Sequence, residues 1–322
     1  MKLGIVGTNF ISDRIAEASR RVCGIELAAV YSRKYDTGRV FADKWGIKNV
    51  FCDLEKMLNS GQIDALYVAS PTMCHLEHTE AAIRARVPVL CEKMLVATYD
   101  EAKHLDSVRR ECDGIVVEAM RPAFDSRLAF VRKNIGLLGN VWHAELEFCQ
   151  YSSRYDAFLA GDIKNAFDPG MKNSALADIG IYPLYYAISL FGDPKSIDAR
   201  GSFLHNGFLG EGDITLDYGA FDVHISYSKI REGKNVSFIE GDGGRCDFGR
   251  INEPDFARFI LSDGTVKESL RSSTESNFDR ELCTFADIVE RSADHKHLWS
   301  TSMAVMKAVG CIYSLLGIDF DN

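Results

Sequence analysis

The sequence predicts a doubly wound parallel α/β domain followed by an α+β domain with an antiparallel sheet. The chain has 322 residues, which at roughly 150 residues per domain suggests two domains. Strand-like and helix-like segments alternate up to about residue 120, whereas strand-like segments after residue 122 follow one another through short turns. This change predicts a boundary that gives domains of residues 1–121 and 122–322.

The first domain is predicted from buried strands with amphipathic helices between them. From Ile11 to Val22, apolar residues recur at the spacing of one helix face. Thr98 and Glu101 have the spacing of a capping box, which predicts a helix start. Strand, helix and strand in this order imply right-handed crossovers and a parallel sheet. The compact apolar runs that predict the strands are residues 3–6, 26–31, 65–69, 87–91 and 114–117.

The second domain is predicted from strands at residues 141–149, 213–218, 221–228, 236–240 and 256–261, with helices at 175–191, 277–291 and 302–316.

The predicted strand at residues 221–228 has one apolar face and one polar face. Its apolar side has Phe221, Val223, Ile225 and Tyr227, and its polar side has Asp222, His224, Ser226 and Ser228. The apolar side must be covered, either by helices of this domain or by a partner.

Composition and charge exclude several classes of function. The formal net charge of −9 is unfavourable for general binding to nucleic acid or to an anionic membrane. Nine cysteines without a CxxC pair indicate thiols in a reducing compartment. We find no signal peptide, and the apolar stretches at 175–191 and 303–318 are near or below bilayer-spanning length. We therefore expect a cytoplasmic protein, and the histidine spacing predicts no catalytic metal.

The turn after the first predicted strand resembles a dinucleotide-binding turn. Gly7, Asn9 and Ser12 stand at the three glycine positions of that fingerprint, where the backbone and a helix N-terminus hold a pyrophosphate. Asn tolerates left-handed backbone geometry, and Ser is nearly as small as Gly. The candidate cofactor contacts at this turn are Gly7, Thr8, Asn9, Phe10 and Ile11. An ordinary tight strand-to-helix turn is the alternative.

The end of the second predicted strand indicates which dinucleotide is bound. NAD enzymes usually place Asp or Glu there to hold the ribose 2′-hydroxyl. This chain has Ser32, Arg33 and Lys34 instead, and a hydroxyl beside two cations suits a 2′-phosphate. We therefore predict a preference for NADP(H), with NAD(H) possible. The alternative is that the two cations solvate the start of a helix.

Four further groups of residues, in order along the chain, carry a resemblance to a known family. They are Ser70, Pro71 and His75; Glu92 and Lys93; Arg121 and Pro122; and Asp178, Gly180, Tyr182 and Pro183. With the opening turn, they resemble the landmarks of the glucose–fructose oxidoreductase/inositol 2-dehydrogenase/rhizopine catabolism (Gfo/Idh/MocA) oxidoreductase family. The form of the last group is most similar to the branch of dimeric dihydrodiol dehydrogenases and sugar 1-dehydrogenases.

The resemblance implies a fold and a reaction. The fold is an N-terminal Rossmann domain and a C-terminal domain on a large, mainly antiparallel open sheet. The reaction is hydride transfer between NAD(P) and a sugar, polyol or related alcohol. In the family pattern, Lys93 and Tyr182 flank the reacting carbon, and Asp178 is the acidic member of the same helix as Tyr182. The resemblance also implies that the cofactor meets the loop of Ser70, Pro71 and His75, together with Glu92, Lys93 and Arg121.

Elementary chemistry assigns roles to the three catalytic candidates. A secondary alcohol that gives up a hydride must also lose a proton, and Tyr182 is the candidate proton shuttle. Lys93 follows a parallel strand and supplies a cation for the developing charge on oxygen. Asp178, four residues before Tyr182, shares its helix face and would orient substrate hydroxyls or Lys93. The alternatives are a surface lysine for Lys93 and a half-buried aromatic residue for Tyr182.

The chain also departs from the family pattern. Met94 stands where the family has proline, and Arg86 stands where it usually has glycine. Lys172, Asn173 and Ser174 replace a glycine-rich stretch. We interpret these departures as a sign of a substrate different from the common sugars of the family.

The leading hypothesis is therefore an NADP-dependent oxidoreductase for a sugar-like or diol substrate. Two alternatives exist on the same fold: an NAD-assisted glycoside hydrolase, and a dinucleotide-sensing regulatory protein without catalysis. Lys93, Asp178 and Tyr182 together disfavour the sensor. The resemblance further implies that the open sheet is a subunit interface, so we expect a homodimer or homotetramer.

Overall fold

The computed structural model describes residues 1–163, 165–274 and 276–320. The chain forms two compact units. The first contains Met1–Met120 and Ser276–Ser300, and the second contains Arg121–Glu275 and Thr301–Asn322. The assignment of residues 1–121 and 122–322 to two domains stays a prediction, since the segment Ser276–Ser300 packs with the first unit.

The first unit is a parallel six-stranded sheet with helices between its strands. The strand order is β3-β2-β1-β4-β5-β6, and every pair is parallel, which confirms the predicted doubly wound class. The elements are β1 Lys2–Val6, α1 Phe10–Ser19, β2 Glu26–Tyr31, α2 Tyr35–Trp45, β3 Asn49–Phe51, α3 Leu54–Leu58, β4 Ala65–Val68, α4 His75–Arg84, β5 Val89–Glu92, α5 Tyr99–Glu111 and β6 Val116–Ala119.

Local sequence chemistry explains why these elements begin where they do. The Thr98 side chain accepts a hydrogen bond from the Glu101 N–H at 3.1 Å, and the Glu101 carboxylate accepts one from the Ala97 N–H at 2.8 Å. These two bonds match the predicted start of α5. Strand β3 was not predicted, because its three half-exposed residues are too few to show a pattern.

A late segment of the chain completes the first unit. Helix α9, Asn277–Arg291, packs against α1. The Arg21 guanidinium contacts the Asp279 carboxylate at 2.7 Å, and the amino group of Met1 lies 2.9 Å from the Glu290 carboxylate. The bounds of α9 agree with the predicted helix at 277–291.

The second unit is built on an eight-stranded sheet. Its strand order is β14-β13-β12-β11-β7-β10-β9-β8, and only the pair β7–β10 is parallel, which confirms a mainly antiparallel sheet. The remaining elements, with α10 beginning in the first unit, are α6 Ser126–Asn134, β7 Val141–Cys149, α7 Tyr155–Leu159, α8 Ile181–Phe191, β8 Ser196–Phe203, β9 Leu209–Asp217, β10 Asp222–Ser228, β11 Ser237–Gly241, β12 Gly244–Phe248, β13 Phe256–Leu261, β14 Val266–Leu270 and α10 Lys296–Leu315.

One face of this sheet is covered by a helix of the same unit. A π-helical turn, Leu176–Gly180, leads into α8, and both pack on β10. Val223, Ile225 and Tyr227 of β10 are buried beneath them, so the predicted apolar face is covered by this unit's own helix. The predicted polar face holds for Asp222 and His224, which are exposed, whereas Ser228 is fully buried. Its hydroxyl instead accepts the N–H groups of residues 230 and 231.

The two apolar stretches that approach bilayer-spanning length are elements of the folded chain. The first corresponds to the buried π-turn and α8, and the second corresponds to the C-terminal part of α10 and the three residues after it. Among the residues described, we find no helix with both the length and the apolar character that a membrane span requires.

Close packing at Gly180 yields the first prediction. A Cβ atom there would lie 2.8 Å from Cγ of Tyr227, whereas a Cβ at Gly136 would meet no atom within 4 Å. Gly180→Val should therefore lower the free energy of unfolding by about 1–3 kcal/mol, because the ring has no space to move. Gly136→Val, the matched control, should change it by less than about 0.5 kcal/mol. Urea unfolding measures both values.

A second variant tests the surroundings of the Tyr227 hydroxyl. The Tyr227 hydroxyl is buried and has no hydrogen-bond partner in the described part of the chain. Tyr227→Phe should therefore leave the urea midpoint unchanged or raise it, because an unpaired buried hydroxyl is costly. A Gly180→Val protein as stable as the parent would show that Tyr227 does not limit the space at this turn.

Candidate active site

In the first unit, the turn between β1 and α1 lies where the strand order reverses. Strands β2 and β4 flank β1, so the chain leaves β1 at the switch point where open α/β sheets bind ligands. Gly7 has a φ of +98°, and a Cβ there would lie 2.7 Å from the carbonyl oxygen of Ala69. Only glycine fits this close approach of two backbones. The first fingerprint position is therefore required by the structure.

Asn9 explains how the turn forms without a second glycine. Its backbone is extended, with a φ of −87°. Its side-chain oxygen accepts the N–H groups of Ile11 at 2.9 Å and Ser12 at 3.2 Å, and its amide donates to the Ala69 carbonyl at 2.7 Å. Asn9 thus caps α1 and ties the turn to β4. Ser12 is fully buried, which accounts for a small residue at the third position.

The turn has the features that a dinucleotide requires. It combines the glycine cradle at Gly7, a capped helix N-terminus and two partly or fully exposed side chains, Thr8 and Phe10. A cavity of about 430 Å³ is lined by Thr8 of this turn and by residues of α1 and α2, among them Asp13, Thr37 and Lys44.

The end of β2 presents two exposed cations. Arg33 and Lys34 are exposed, and neither is in an ion pair among the residues described. Ser32 accepts the N–H of Lys34 at 3.4 Å. Burial lowers the pKa of His78 in α4, while the charge of Glu77 raises it and that of Arg33 lowers it.

The loop between β4 and α4 is held by two histidines. The Ser70 hydroxyl and Nδ1 of His78 are 2.9 Å apart. His75 is almost completely buried, with Nε2 2.8 Å from the Ser70 carbonyl oxygen and Nδ1 2.9 Å from that of Met94. Burial lowers the pKa of His75, so at neutral pH the ring carries one N–H and donates to one of the two carbonyls.

The His75 ring therefore lies between the β4–α4 loop and the segment that carries Lys93. Glu92, at the end of β5, is buried and accepts the Tyr67 hydroxyl at 2.5 Å and the backbone N–H of Lys93 at 3.2 Å. The Lys93–Met94 peptide bond is cis. Glu118 accepts the N–H of Leu95 at 2.9 Å. The backbone on both sides of Lys93 is thus fixed by buried side chains.

In the second unit, Asp178 and Tyr182 lie on consecutive turns. Asp178 is in the π-helical turn, and Tyr182 is in the first turn of α8. Single π-helical turns occur often at functional sites. Tyr182 is 2% exposed and packs edge-on against Phe148, with ring centroids 5.7 Å apart.

Arg121 is the partner of the Tyr182 phenol. Its guanidinium donates a hydrogen bond to the phenol oxygen and contacts the Glu253 carboxylate at 2.9 Å. A phenol that accepts from Arg121 directs its own O–H to another acceptor. The residue expected among the cofactor contacts therefore lies beside the proton-shuttle candidate, and its contact with a cofactor stays a prediction.

Sequence reasoning missed Lys229 and Glu253. Lys229 follows β10, and its ammonium nitrogen lies 2.9 Å from the Asp178 carboxylate. A lysine after a strand is usually a surface residue, and the sequence holds no signal that pairs it with Asp178. Within the described residues, no group of three or more His, Cys, Asp and Glu side chains is arranged to hold a metal ion.

The sheet order and the turn at its switch point define a nucleotide-binding α/β protein. Comparison with known proteins identifies the family. The model of the oxidoreductase family with an NAD-binding Rossmann fold matches residues 1–119, and that of the GFO/IDH/MocA C-terminal domain matches residues 134–243. The chain belongs to the Gfo/Idh/MocA family of NAD(P)-binding oxidoreductases, which confirms the resemblance.

Individual relatives agree with this assignment. The chain is 33% identical to scyllo-inositol 2-dehydrogenase (NADP+) IolU of Bacillus subtilis, over 91% of this chain and 96% of the relative. It is 26% identical to D-xylose 1-dehydrogenase (NADP+) 2 of Haloferax volcanii, over 97% and 96% of the two chains. The solved structure of KijD10, a 3-ketoreductase from Actinomadura kijaniata, has the same fold, with a TM-score of 0.84, 20% identity and coverage of 98% and 97%.

Proposed function

We propose that this oxidoreductase transfers a hydride between NADP(H) and a secondary alcohol or ketone of a polyol or sugar. The observation that carries the proposal is the pair of side chains on consecutive turns of the second unit. A carboxylate held by a buried ammonium, Asp178, lies next to a phenol held by a guanidinium, Tyr182. Such groups suit a substrate with neighbouring hydroxyls, and two relatives named for inositol and xylose support this class.

The first unit would hold the dinucleotide at the switch point of its sheet. The nicotinamide of the bound dinucleotide accepts or supplies the hydride. Gly7, Thr8 and Phe10 would meet the pyrophosphate side of the groove, and the N–H groups of Ile11 and Ser12 remain bonded to the Asn9 cap. Ser70 and Pro71 would follow the other wall, at the end of β4.

The preference for NADP(H) rests on charge at the end of β2. No carboxylate stands between Tyr31 and Tyr35, where an NAD enzyme would hold the ribose hydroxyls. Arg33 and Lys34 are exposed cations without an ion pair in the described chain. A 2′-phosphate would accept charge-assisted hydrogen bonds from them. IolU of Bacillus subtilis is also named for NADP+.

The catalytic roles follow from the donors and acceptors of each side chain. In the reduction of a ketone, Tyr182 donates its proton to the carbonyl oxygen while Arg121 keeps its hydrogen bond to the phenol. Lys93 stabilises the negative charge that develops on that oxygen. Asp178 accepts a hydrogen bond from a neighbouring substrate hydroxyl. In the oxidation of an alcohol, this proton moves in the opposite direction, from the substrate hydroxyl to Tyr182.

We also infer that the protein works in a reducing compartment, the cytoplasm. All nine cysteines are free thiols, and Cys23, Cys52, Cys283 and Cys311 are exposed. Exposed free thiols are typical of compartments that keep cysteine reduced.

We further infer that the exposed face of the eight-stranded sheet forms a homodimer. The strand register places Ile260 and Val266 opposite each other on this face, where they are 43% and 56% exposed. The charged residues beside them are of both signs, and Arg245 and Arg258 are paired with carboxylates of the same face. A two-fold axis would bring the apolar pair of one copy against that of the other.

The cofactor preference is tested by the dissociation constants of NADPH and NADH. Arg33→Ala should weaken NADPH binding about tenfold, because one charge-assisted hydrogen bond is lost, and should leave NADH binding unchanged. Arg39→Ala is the matched control, since this exposed arginine of α2 is paired with Asp43. Tighter binding of NADH than of NADPH by the parent protein would overturn the preference.

The catalytic roles are tested by steady-state turnover with NADPH or NADP+ and a panel of inositols and sugars. Lys93→Met and Tyr182→Phe should each lower kcat by about 100-fold or more, because each removes a group that acts on the reacting oxygen. Tyr186→Phe is the control for Tyr182, since its buried hydroxyl on the same helix has no partner in the described residues. Turnover equal to that of the parent in both variants would refute the assigned roles.

The dimer is tested by sedimentation velocity at micromolar concentration. Ile260→Glu should produce monomers, because it places a charge within the proposed apolar contact. Val40→Glu, at a side chain of α2 that is 71% exposed, is the matched control and should remain dimeric. A parent protein that sediments as a monomer would rule out the interface.

A further inference from the structure

Lys229 is a charged side chain that the fold has removed from water. Its side chain is 3% exposed, although it follows directly after strand β10. The ammonium donates to the Ala166 carbonyl at 2.7 Å and lies 2.9 Å from Oδ2 of Asp178. It also faces the rings of Phe167 and Phe208, 4.7 and 5.1 Å from their centroids. The ammonium is thus surrounded by acceptors and aromatic faces.

The surroundings of Lys229 strengthen its bond to Asp178. Phe158, Phe167 and Phe208 form a buried aromatic cluster next to the ammonium. These rings exclude water, and in a medium of lower polarity an ion pair is stronger than at the surface. The backbone of Lys229 is also fixed, since its N–H donates to the Gly210 carbonyl at 3.0 Å and its carbonyl accepts the Ser152 N–H at 2.9 Å. The position of the ammonium is therefore set by the fold.

The two partners do not depend on one another equally. The Asp178 side chain is 39% exposed, so water can solvate its carboxylate without Lys229. The ammonium is far less accessible to water, so loss of Asp178 would remove a charged partner from a buried cation. With only 3% exposure, Lys229 does not itself reach a substrate. Its effect on the reaction must pass through Asp178.

We propose that Lys229 is a positioning residue that holds the Asp178 carboxylate toward one hydroxyl of the substrate, and so makes the enzyme selective for vicinal polyols. This inference rests on the proposed function. With Oδ2 fixed by the ammonium, the carboxylate cannot rotate to follow a displaced substrate. A substrate that lacks the neighbouring hydroxyl leaves this carboxylate without its hydrogen bond and is discriminated against.

The experiment compares each inositol that the parent turns over with the analogue that lacks one neighbouring hydroxyl. For the parent, kcat/KM should be at least about 100-fold higher for the full polyol, as expected where a site is built to hydrogen-bond a hydroxyl. In Lys229→Met, kcat/KM for the full polyol should fall by about 10- to 100-fold while that for the deoxy analogue changes little. The ratio of kcat/KM for the full polyol to kcat/KM for the deoxy analogue should therefore approach one. Loss of stability alone does not change this ratio.

A double-mutant cycle tests whether Lys229 acts through Asp178. Asp178→Asn and the double variant Lys229→Met/Asp178→Asn should have the same kcat/KM, because the second change removes a group with nothing left to position. Asp178→Asn should also lower the urea midpoint more than Lys229→Met does, and the double variant should recover part of that loss. The dissociation constant of NADPH should be the same in all four proteins, which shows that each is folded.

Lys307→Met provides the matched control, since Lys307 contacts Asp193 at the same 2.9 Å in an exposed pair. It should leave discrimination unchanged. Two results would overturn the role of Lys229 while leaving the oxidoreductase assignment intact. One is that the losses of kcat/KM in Lys229→Met and Asp178→Asn multiply in the double variant. The other is that Lys229→Met discriminates between the two substrates as strongly as the parent does. A parent protein that binds NADPH but turns over no polyol would overturn the proposed function, and this inference with it.

Discussion

A charge that is removed from water must be paired, and this constraint organises the second unit. Lys229 meets it through Asp178, and the consequence is a carboxylate of fixed direction in the π-helical turn. The same constraint acts at the start of α6. There Arg127 and Asp125 are both completely buried, their side chains 2.7 Å apart, and Arg271 adds a second contact to Asp125 at 2.9 Å. Removing one partner of such a pair lowers the free energy of unfolding by more than the intact pair contributes to it.

In the first unit, two buried neutral side chains lie within hydrogen-bond distance of a carboxylate and of carbonyl oxygens. Burial raises the pKa of Tyr67 well above its ordinary value, so this phenol keeps its proton and donates a hydrogen bond to Glu92. Burial likewise keeps His75 neutral between two carbonyl oxygens. The backbone around Lys93 is held by Glu92 and Glu118, which accept the N–H groups of Lys93 and Leu95. In each unit, the backbone or side chain of the candidate catalytic residue is already held in place by buried contacts, as a preorganised site requires.

Much of this architecture could be predicted from local sequence patterns. Alternating strands and helices predicted the parallel sheet, and the capping residues of α5 matched their predicted spacing. Asn9 also fits, because it supplies through its side chain the cap that the turn needs. Short strands were missed where too few residues alternate, as in β3 and β14, whose residues are half or fully exposed.

The partners of the site residues could not be predicted, because they depend on contacts between distant parts of the chain. Arg121 and Tyr182 are 61 residues apart, and Arg121 and Glu253 are 132 apart. Lys229 has the sequence context of a solvent-exposed lysine, and only the packing of residues 165–167 and the π-turn around it makes it a buried cation. Patterns with a helix or strand period carry no information about such pairs.

A crystal structure of the protein with NADP+ and a polyol that it oxidises tests the account most directly. The account predicts that a substrate hydroxyl donates to the Asp178 carboxylate while Lys229 keeps its contact with that carboxylate. It predicts also that the Tyr182 phenol meets the oxygen on the reacting carbon while Arg121 stays bonded to it. A substrate bound without contact to Asp178 and Tyr182, or an Asp178 carboxylate turned away from Lys229, would contradict it.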